Sequence, residues 1–399
     1  MRLLKIVFII FVLLFWVAEV GRLQLSNGIA ISLNDVLLSI VILVWIVNHI
    51  LRKQKLVLGK LFKPIFFFAT IGLISLLLNL PNLGINNLLI SSLYLIRWAA
   101  YALIYIIANE FDSKFKNKIS YLLLFSGFIV VLLGYIQFFF YPSLRNLYYL
   151  GWDEHLYRMF SSFLDPNFAG AFFALFFLFC FAFALKHWQK KESFKTSAIF
   201  VISIIDLVAV YLTYSRSALL MLIVGAIIFL IIQKQKKLVV ATIIILLAIV
   251  FFLPKSFITE GTNFLRITSS GERINSLQTG VRIFQESPVL GVGFDAYRFA
   301  QHKIGMTNIY WDVTHSGAGT DNGLLFVLTT TGIVGFCAFI YLLFKIFSLA
   351  KRNFKKNFYS LALFSGLAGL IFDGLFVNSL FYVFILEWVW ILCSLTENS

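Results

Sequence analysis

The chain is predicted to be an all-α, polytopic membrane helix bundle of about 12 transmembrane helices, with one long outward loop carrying short interfacial helices. Three observations predict it. The 399 residues are 60% hydrophobic with a mean hydropathy of +0.92, beyond what a soluble domain tolerates. Apolar runs of about 18 residues or more, the length that crosses a bilayer, recur throughout. Basic residues mark alternate ends of those runs. Of 33 Lys and Arg, 22 fall at Arg2 and Lys5 or within 51–63, 110–118, 186–195, 233–237 and 345–357.

Twelve spans can be drawn: 3–20, 29–50, 61–80, 88–109, 119–141, 162–185, 196–213, 216–233, 238–253, 321–348, 357–373 and 375–396. Lys and Arg accumulate in cytoplasmic loops, so the charge pattern predicts a multi-pass plasma (inner) membrane protein with both termini cytoplasmic. The net charge of +15 then reports topology, and no nucleic-acid footprint is present. The first span has a basic start and no small-residue cleavage site, which predicts retention. Cys180, Cys337 and Cys393 lie in apolar spans without metal-ligand spacing.

Residues 1–399 read as one membrane domain with two longer loops, 142–161 and 254–320, both outward. The second carries six basic and five acidic residues. Within it, 272–286 predicts a helix that stops before Pro288. Ile274, Leu277, Val281 and Phe284 form one narrow apolar stripe suited to the membrane interface. Arg273 borders that stripe at headgroup depth. Arg282 projects to the polar side, four residues before Glu286, a spacing that permits an ion pair. Gly291 and Gly293 allow a tight turn with close backbone approach.

Several polar residues at the outward ends could carry chemistry. Arg216, in Tyr214-Ser215-Arg216, stands in a turn too short to leave the membrane surface, where a guanidinium can hold a phosphate through paired hydrogen bonds. Asp165 is a good N-cap and Pro166 a good first helical residue; capping does not account for Asn167 or Arg158. Within the spans, Asp35 and Arg97 can pair, Asp206 has no evident partner, and Glu387 adds a further costly charge. His315, Asp321 and Asn322 close the long loop. Either Asp321 or His315 could act as a general base toward a hydroxyl, and Asp321 could equally cap the next span.

In order, Arg158-x-x-x-x-Phe163-x-Asp165-Pro166-Asn167, Tyr214-Ser215-Arg216, Gly271-x-Arg273, Ser287-Pro288-x-x-Gly291-x-Gly293-x-x-x-Tyr297, Asp321-Asn322-x-x-Leu325 and Thr331-Gly332-Ile333-Val334-Gly335 resemble the O-antigen ligase and polymerase family over roughly 158–335. The resemblance implies an undecaprenyl-diphosphate-linked glycan donor and transfer on the outer membrane face to a glycan, lipid or protein acceptor. It implies that Arg216 and Arg273 hold the diphosphate, with Arg158, Asn322, Tyr214 and Arg282 as further substrate-binding candidates. Asp165, Pro166, Asn167, Gly291 and Gly293 fall to structural roles. Many ligases carry His-Asn where this chain has Asp321-Asn322, so the base is Asp321 or His315. No cofactor and no metal are expected, since a diphosphate leaving group is already activated and needs mainly charge neutralisation and acceptor positioning. A transporter or flippase of a lipid-linked or anionic substrate is the alternative; it predicts mid-membrane functional charges and two related halves.

Overall fold

The computed structural model describes the chain apart from residues 26–28, 54–55, 241, 243–258, 265–267, 308–318, 353, 355–356 and 398–399. Helix dominates it. The first span is an elbow: α1 (Arg2–Leu13) turns by 62° into a 3-10 segment, Phe15–Gly21. A short antiparallel hairpin follows, β1 (Arg22–Gln24) with β2 (Ala30–Ser32). Ser32 and Asp35 then form a reciprocal capping box that starts α2 (Leu33–Arg52). After α3 (Phe62–Leu78) comes α4 (Leu80–Asn109), interrupted at Gly84, and then α5 (Ser113–Phe140). Next are α6 (Pro166–Gln189), α7 (Ser193–Leu212) and α8 (Arg216–Ile232). In the long loop stand α9 (Thr268–Glu286) and the short α10 (Tyr297–Lys303). The chain closes with α11 (Gly323–Lys351), α12 (Phe358–Asp373) and α13 (Val383–Glu397).

Among the described residues, six helices are long and apolar enough to cross a membrane, or seven if the elbow counts as one span. The polytopic all-α architecture therefore stands. The expectation of about 12 spans goes further than this. Three more apolar helices, α3, α8 and α12, have only 16 or 17 residues, at the lower limit of about 17 for a spanning helix. Most of the span drawn over 238–253 lies outside the described residues.

The centre of the bundle is α13, apolar on every side and buried from Phe384 to Thr396, as a helix enclosed by others must be. Trp388 is fully enclosed and meets Phe15, Phe172, Phe176 and Phe179 at centroid distances of 5.2–6.0 Å. Trp390 sits against Trp98 and Tyr105. Many of the phenylalanines thus pack the interior as well as face lipid.

The bundle has two chemically different ends. At one end lie the starts of α1 and α5, joined by the Lys5–Asp112 ion pair, and the ends of α2 and α4, joined by His49 and Glu110 at 3.2 Å. The last turn of α13 is there too: Lys116 donates to Ser394 O at 3.2 Å, and Tyr105 donates to Glu397. Both chain ends and several of the basic segments therefore share this end. The loop 142–161, the turn between α7 and α8, α9 and the start of α11 lie at the other.

Charge inside the bundle is only partly paired. Arg97 clasps Asp35 through Nε and Nη2 at 2.8 and 2.7 Å, and Tyr101 adds a hydrogen bond at 3.1 Å. Asn34 donates to Glu387 at 3.1 Å. Asp206 is fully buried, and neither carboxylate oxygen has a hydrogen-bond partner.

One feature of the long loop departs from a surface turn. Helix α11 breaks at Gly332 (φ 65°, ψ −171°), and the segment Pro288–Gly293 docks into the break. Val292 and Gly293 donate to the carbonyls of Thr329 and Thr330 at 3.0 and 3.1 Å. Ile333 and Val334 donate to Pro288 and Val289 at 2.9 and 3.2 Å. From α3, Ser75 donates to Leu290 O and Thr330 O, and Asn79 to Gly291 O. The groups freed by the break thus find partners in the loop, the condition for irregular backbone within a membrane protein. Gly291 (φ 73°) and Gly332 are required here, since a Cβ on either would lie 2.4 Å or less from the opposing backbone. Gly293 has φ 111° in the same turn.

Candidate active site

Three helix N-termini converge at the end opposite the chain termini. Helix α6 starts at Pro166, capped by Asp165, whose Oδ1 accepts from Asn167 N at 2.6 Å and Phe168 N at 3.2 Å. Helix α8 starts at Arg216, capped by Ser215. Helix α11 starts at Gly323, capped by Asn322, whose Oδ1 accepts from Leu325 N at 2.8 Å. The α6 and α8 ends are joined directly, because Ser215 Oγ donates to Asn167 Oδ1 at 3.1 Å. Positive dipole ends brought together favour an anion.

Arg158 belongs to the frame. It is buried, donating to Thr213 O at 2.9 Å and to Asn167 Oδ1 at 3.3 Å. It clamps the end of loop 142–161 onto the α7–α8 turn, which gives Arg158 and Asn167 the role that capping left open. Tyr214, in the same turn, packs on Phe264 at 5.2 Å, and Arg216 Nη1 approaches Phe264 O at 3.5 Å. The loop is thereby held over the start of α8.

Helix α9 lies against this assembly on the face formed by Ser276, Gly280 and Ile283. Ser276 Oγ accepts from Asp321 N at 3.1 Å, the Gly280 position abuts Leu325, and Ile283 is fully buried with Val292, Tyr297 and Phe326. Ile274, Leu277 and Val281 are exposed, as an interfacial stripe would be. Arg273 falls on the packed side, seven residues before Gly280. Its charge acts on Arg216, on Asp321 and on Asp373. Two guanidinia and two carboxylates thus share one site.

Arg282 and Glu286 are both exposed, and no ion pair joins them among the described residues. The expected pair is corrected accordingly. An exposed Arg that precedes Glu by one turn gains little, because the favoured order is acid before base. Arg282 also lies away from Arg216 and Asp321, on the outer face of α9.

Asp321 does not cap α11; Asn322 does, and its side-chain oxygen is engaged in that role. The Asp321 side chain is hydrogen-bonded by Ser276 of α9 instead. Desolvation by the packed surroundings raises its pKa above the ordinary 3.8, with Arg273 the main opposing influence and Glu272 and Asp165 adding to the rise. A carboxylate raised in this way is a stronger base than an unperturbed aspartate. His315 lies outside the described residues.

Sequence reasoning did not single out Asp373. It is fully buried at the end of α12 and hydrogen-bonded by Ser379 and Ser217, while its Oδ1 has no hydrogen-bond partner. Gly323 N donates to Gly374 O at 2.7 Å, which ties α12 to the start of α11. The available signal was an acid ending the span drawn over 357–373. Among the described residues, no group of three or more His, Cys, Asp or Glu is placed to hold a metal ion. The charges felt by Asp295 are those of Arg298 and Arg97.

Fold and site together define a multi-pass α-helical membrane protein with a charged, helix-N-terminal site at one end of the bundle. Residues 198–340, just over a third of the chain, match the family model described as O-antigen ligase, and the match supports an O-antigen ligase-family membrane protein. The family suggests glycosyl transfer of the ligase or polymerase kind in general. The matched segment holds Arg216, Arg273, Asp321 and the Gly291–Gly332 interlock; Arg158, Asp165 and Asp373 lie outside it. No curated protein matches the chain.

Proposed function

We propose that this protein transfers a glycan from an undecaprenyl-diphosphate-linked donor to a glycan or lipid acceptor, as a polymerase or ligase working on the outer face of the plasma membrane. The observation that carries this reading is the convergence of Arg216, Arg273 and Asp321 on three helix N-termini. In this reading the two guanidinia hold the diphosphate and neutralise the charge it gains as a leaving group. Asp321 accepts the acceptor hydroxyl's proton as that oxygen forms a bond to the anomeric carbon. The bond from that carbon to the diphosphate oxygen breaks, releasing polyprenyl diphosphate. Asp373 and Arg158 position the frame. The basic, terminus-bearing end faces the cytoplasm, by the bias of Lys and Arg.

The test is direct. Purified full-length protein is incubated with a synthetic polyprenyl-diphosphate glycan, with and without an added acceptor. Acceptor-dependent release of polyprenyl diphosphate with a new glycosidic product is expected. Transport of the intact lipid-linked glycan across a proteoliposome membrane without any new linkage would sink the proposal in favour of a flippase.

A further inference from the structure

The loop 142–161 carries a histidine to the start of α6. His155 Nε2 stands 3.6 Å from Asp165 Oδ2, an ion-pair distance, and the two side chains are only 11% and 23% exposed. Asp165 divides its oxygens: Oδ1 caps α6, and Oδ2 meets the imidazole. Capping by itself needs no imidazole. The backbone holds the ring in place. His155 has φ 49°, in the left-handed region, and such strain in a non-glycine residue persists only where its surroundings over-determine it. Leu144 N donates to Glu154 O at 2.8 Å, Tyr157 N to Pro142 O at 2.8 Å, and Arg158 N to His155 O at 3.2 Å. Gly261 of the long loop packs against Leu156 and Arg158. The imidazole is thus fixed where the two outward loops meet the α6 cap.

The charge balance of the site gives that imidazole a use. The charge of Asp165 acts on both Asp321 and Asp373, and the charge of Glu272 also acts on Asp321. With Asp165 and Glu272 counted, carboxylates outnumber the two guanidinia of Arg216 and Arg273. An anion held by the guanidinia is repelled by each carboxylate left uncovered. We propose that His155 is a positioning residue of the transfer site: as imidazolium it covers Asp165 Oδ2 and keeps that negative charge from the donor's diphosphate. The diphosphate in this statement rests on the transfer reading; the His155–Asp165 pair does not.

The experiment uses full-length protein in nanodiscs at about pH 6, below the ordinary imidazole pKa of about 6.5. It follows binding of farnesyl diphosphate alongside transfer from the synthetic donor. His155→Asn removes the charge with a residue that tolerates a positive φ. It should weaken diphosphate binding about fivefold, and His155→Lys, which keeps a cation, should restore part of the loss. Asp165→Asn keeps a capping side chain and removes the charge that His155 covers. Added to His155→Asn, it should therefore rescue binding to within about twofold of wild type, as charges removed in a compensating pair do. A merely structural contact predicts the opposite, since the double variant lacks both halves of it. A double variant as weak as His155→Asn, or a His155→Asn protein that binds like wild type, would overturn the proposal. So would a wild-type protein that does not bind the diphosphate. The expected binding pattern without any glycosidic product would sink the transfer reading alone.

Discussion

At the residue scale, the two arginines of the site differ from the third in placement rather than in type. The charge of Arg273 acts on Arg216, Asp321 and Asp373, while Arg282 is exposed on the outer side of α9. Arg216→Ala and Arg273→Ala should each lower transfer at least tenfold, since a hydrogen bond to a charged group is worth about 1.5–3 kcal/mol. Arg282→Ala should remain near wild type. Lysine should restore only part of the loss, because it lacks the planar fork. Initial rates with the synthetic donor decide this; a dead Arg282→Ala beside an active Arg273→Ala would reverse the orientation of α9. Asp321→Asn now makes a cleaner test than capping arguments alone allowed, because Asn322 is the cap. The variant should insert and fold normally yet lose transfer, and His315→Ala is the counter-test. A base works deprotonated and the Asp321 pKa is raised, so transfer should fade on the acid side at a pH clearly above the ordinary 3.8. A pH–rate profile flat down to that value would remove Asp321 from the role.

At the element scale, the interlock between Pro288–Gly293 and broken α11 explains two sequence features together. The Gly291–Gly293 turn and the Thr331–Gly335 run are separate motifs along the chain, but they are the two halves of one backbone contact. Gly332→Ala meets both a positive φ and a 2.2 Å clash with Val289 O. Gly84→Ala meets a positive φ of 71° alone, with nothing within 4 Å. The first should cost clearly more thermal stability in detergent than the second, whose strain is about 1–3 kcal/mol. Equal melting shifts would show that the interlock adds nothing beyond local strain. The caps follow simpler rules. Asp165→Ala should cost about 1 kcal/mol at the start of α6, read in the same melting assay.

At the scale of the whole molecule, the two ends of the bundle carry the topology. In a cysteine-free background, Gly271→Cys should react with an impermeant thiol reagent in intact cells, and Lys114→Cys only after lysis. Both positions are exposed. The reverse pattern would place the site in the cytoplasm and end the proposed mechanism. Much of this architecture was legible in the chain itself. Hydropathy and alternating basic segments specify a helical membrane bundle because lipid forbids unpaired backbone and charge alike. Local rules specify the cap at Asp165 and the helix that ends before Pro288, because a cap and a break depend on neighbours in sequence. Opposite charges within spans made the Asp35–Arg97 pair readable as well. Tertiary structure alone decided the rest. It set Asn322 rather than Asp321 as the cap, left Arg282 unpaired with Glu286, and bonded Arg158 to Thr213 and Asn167. It also brought Asp373, from a helix beyond the matched segment, within reach of the Arg273 charge. These outcomes turn on which helix N-termini meet and which loop enters a broken helix, and contacts between residues tens to hundreds of positions apart leave no periodicity in the chain that makes them.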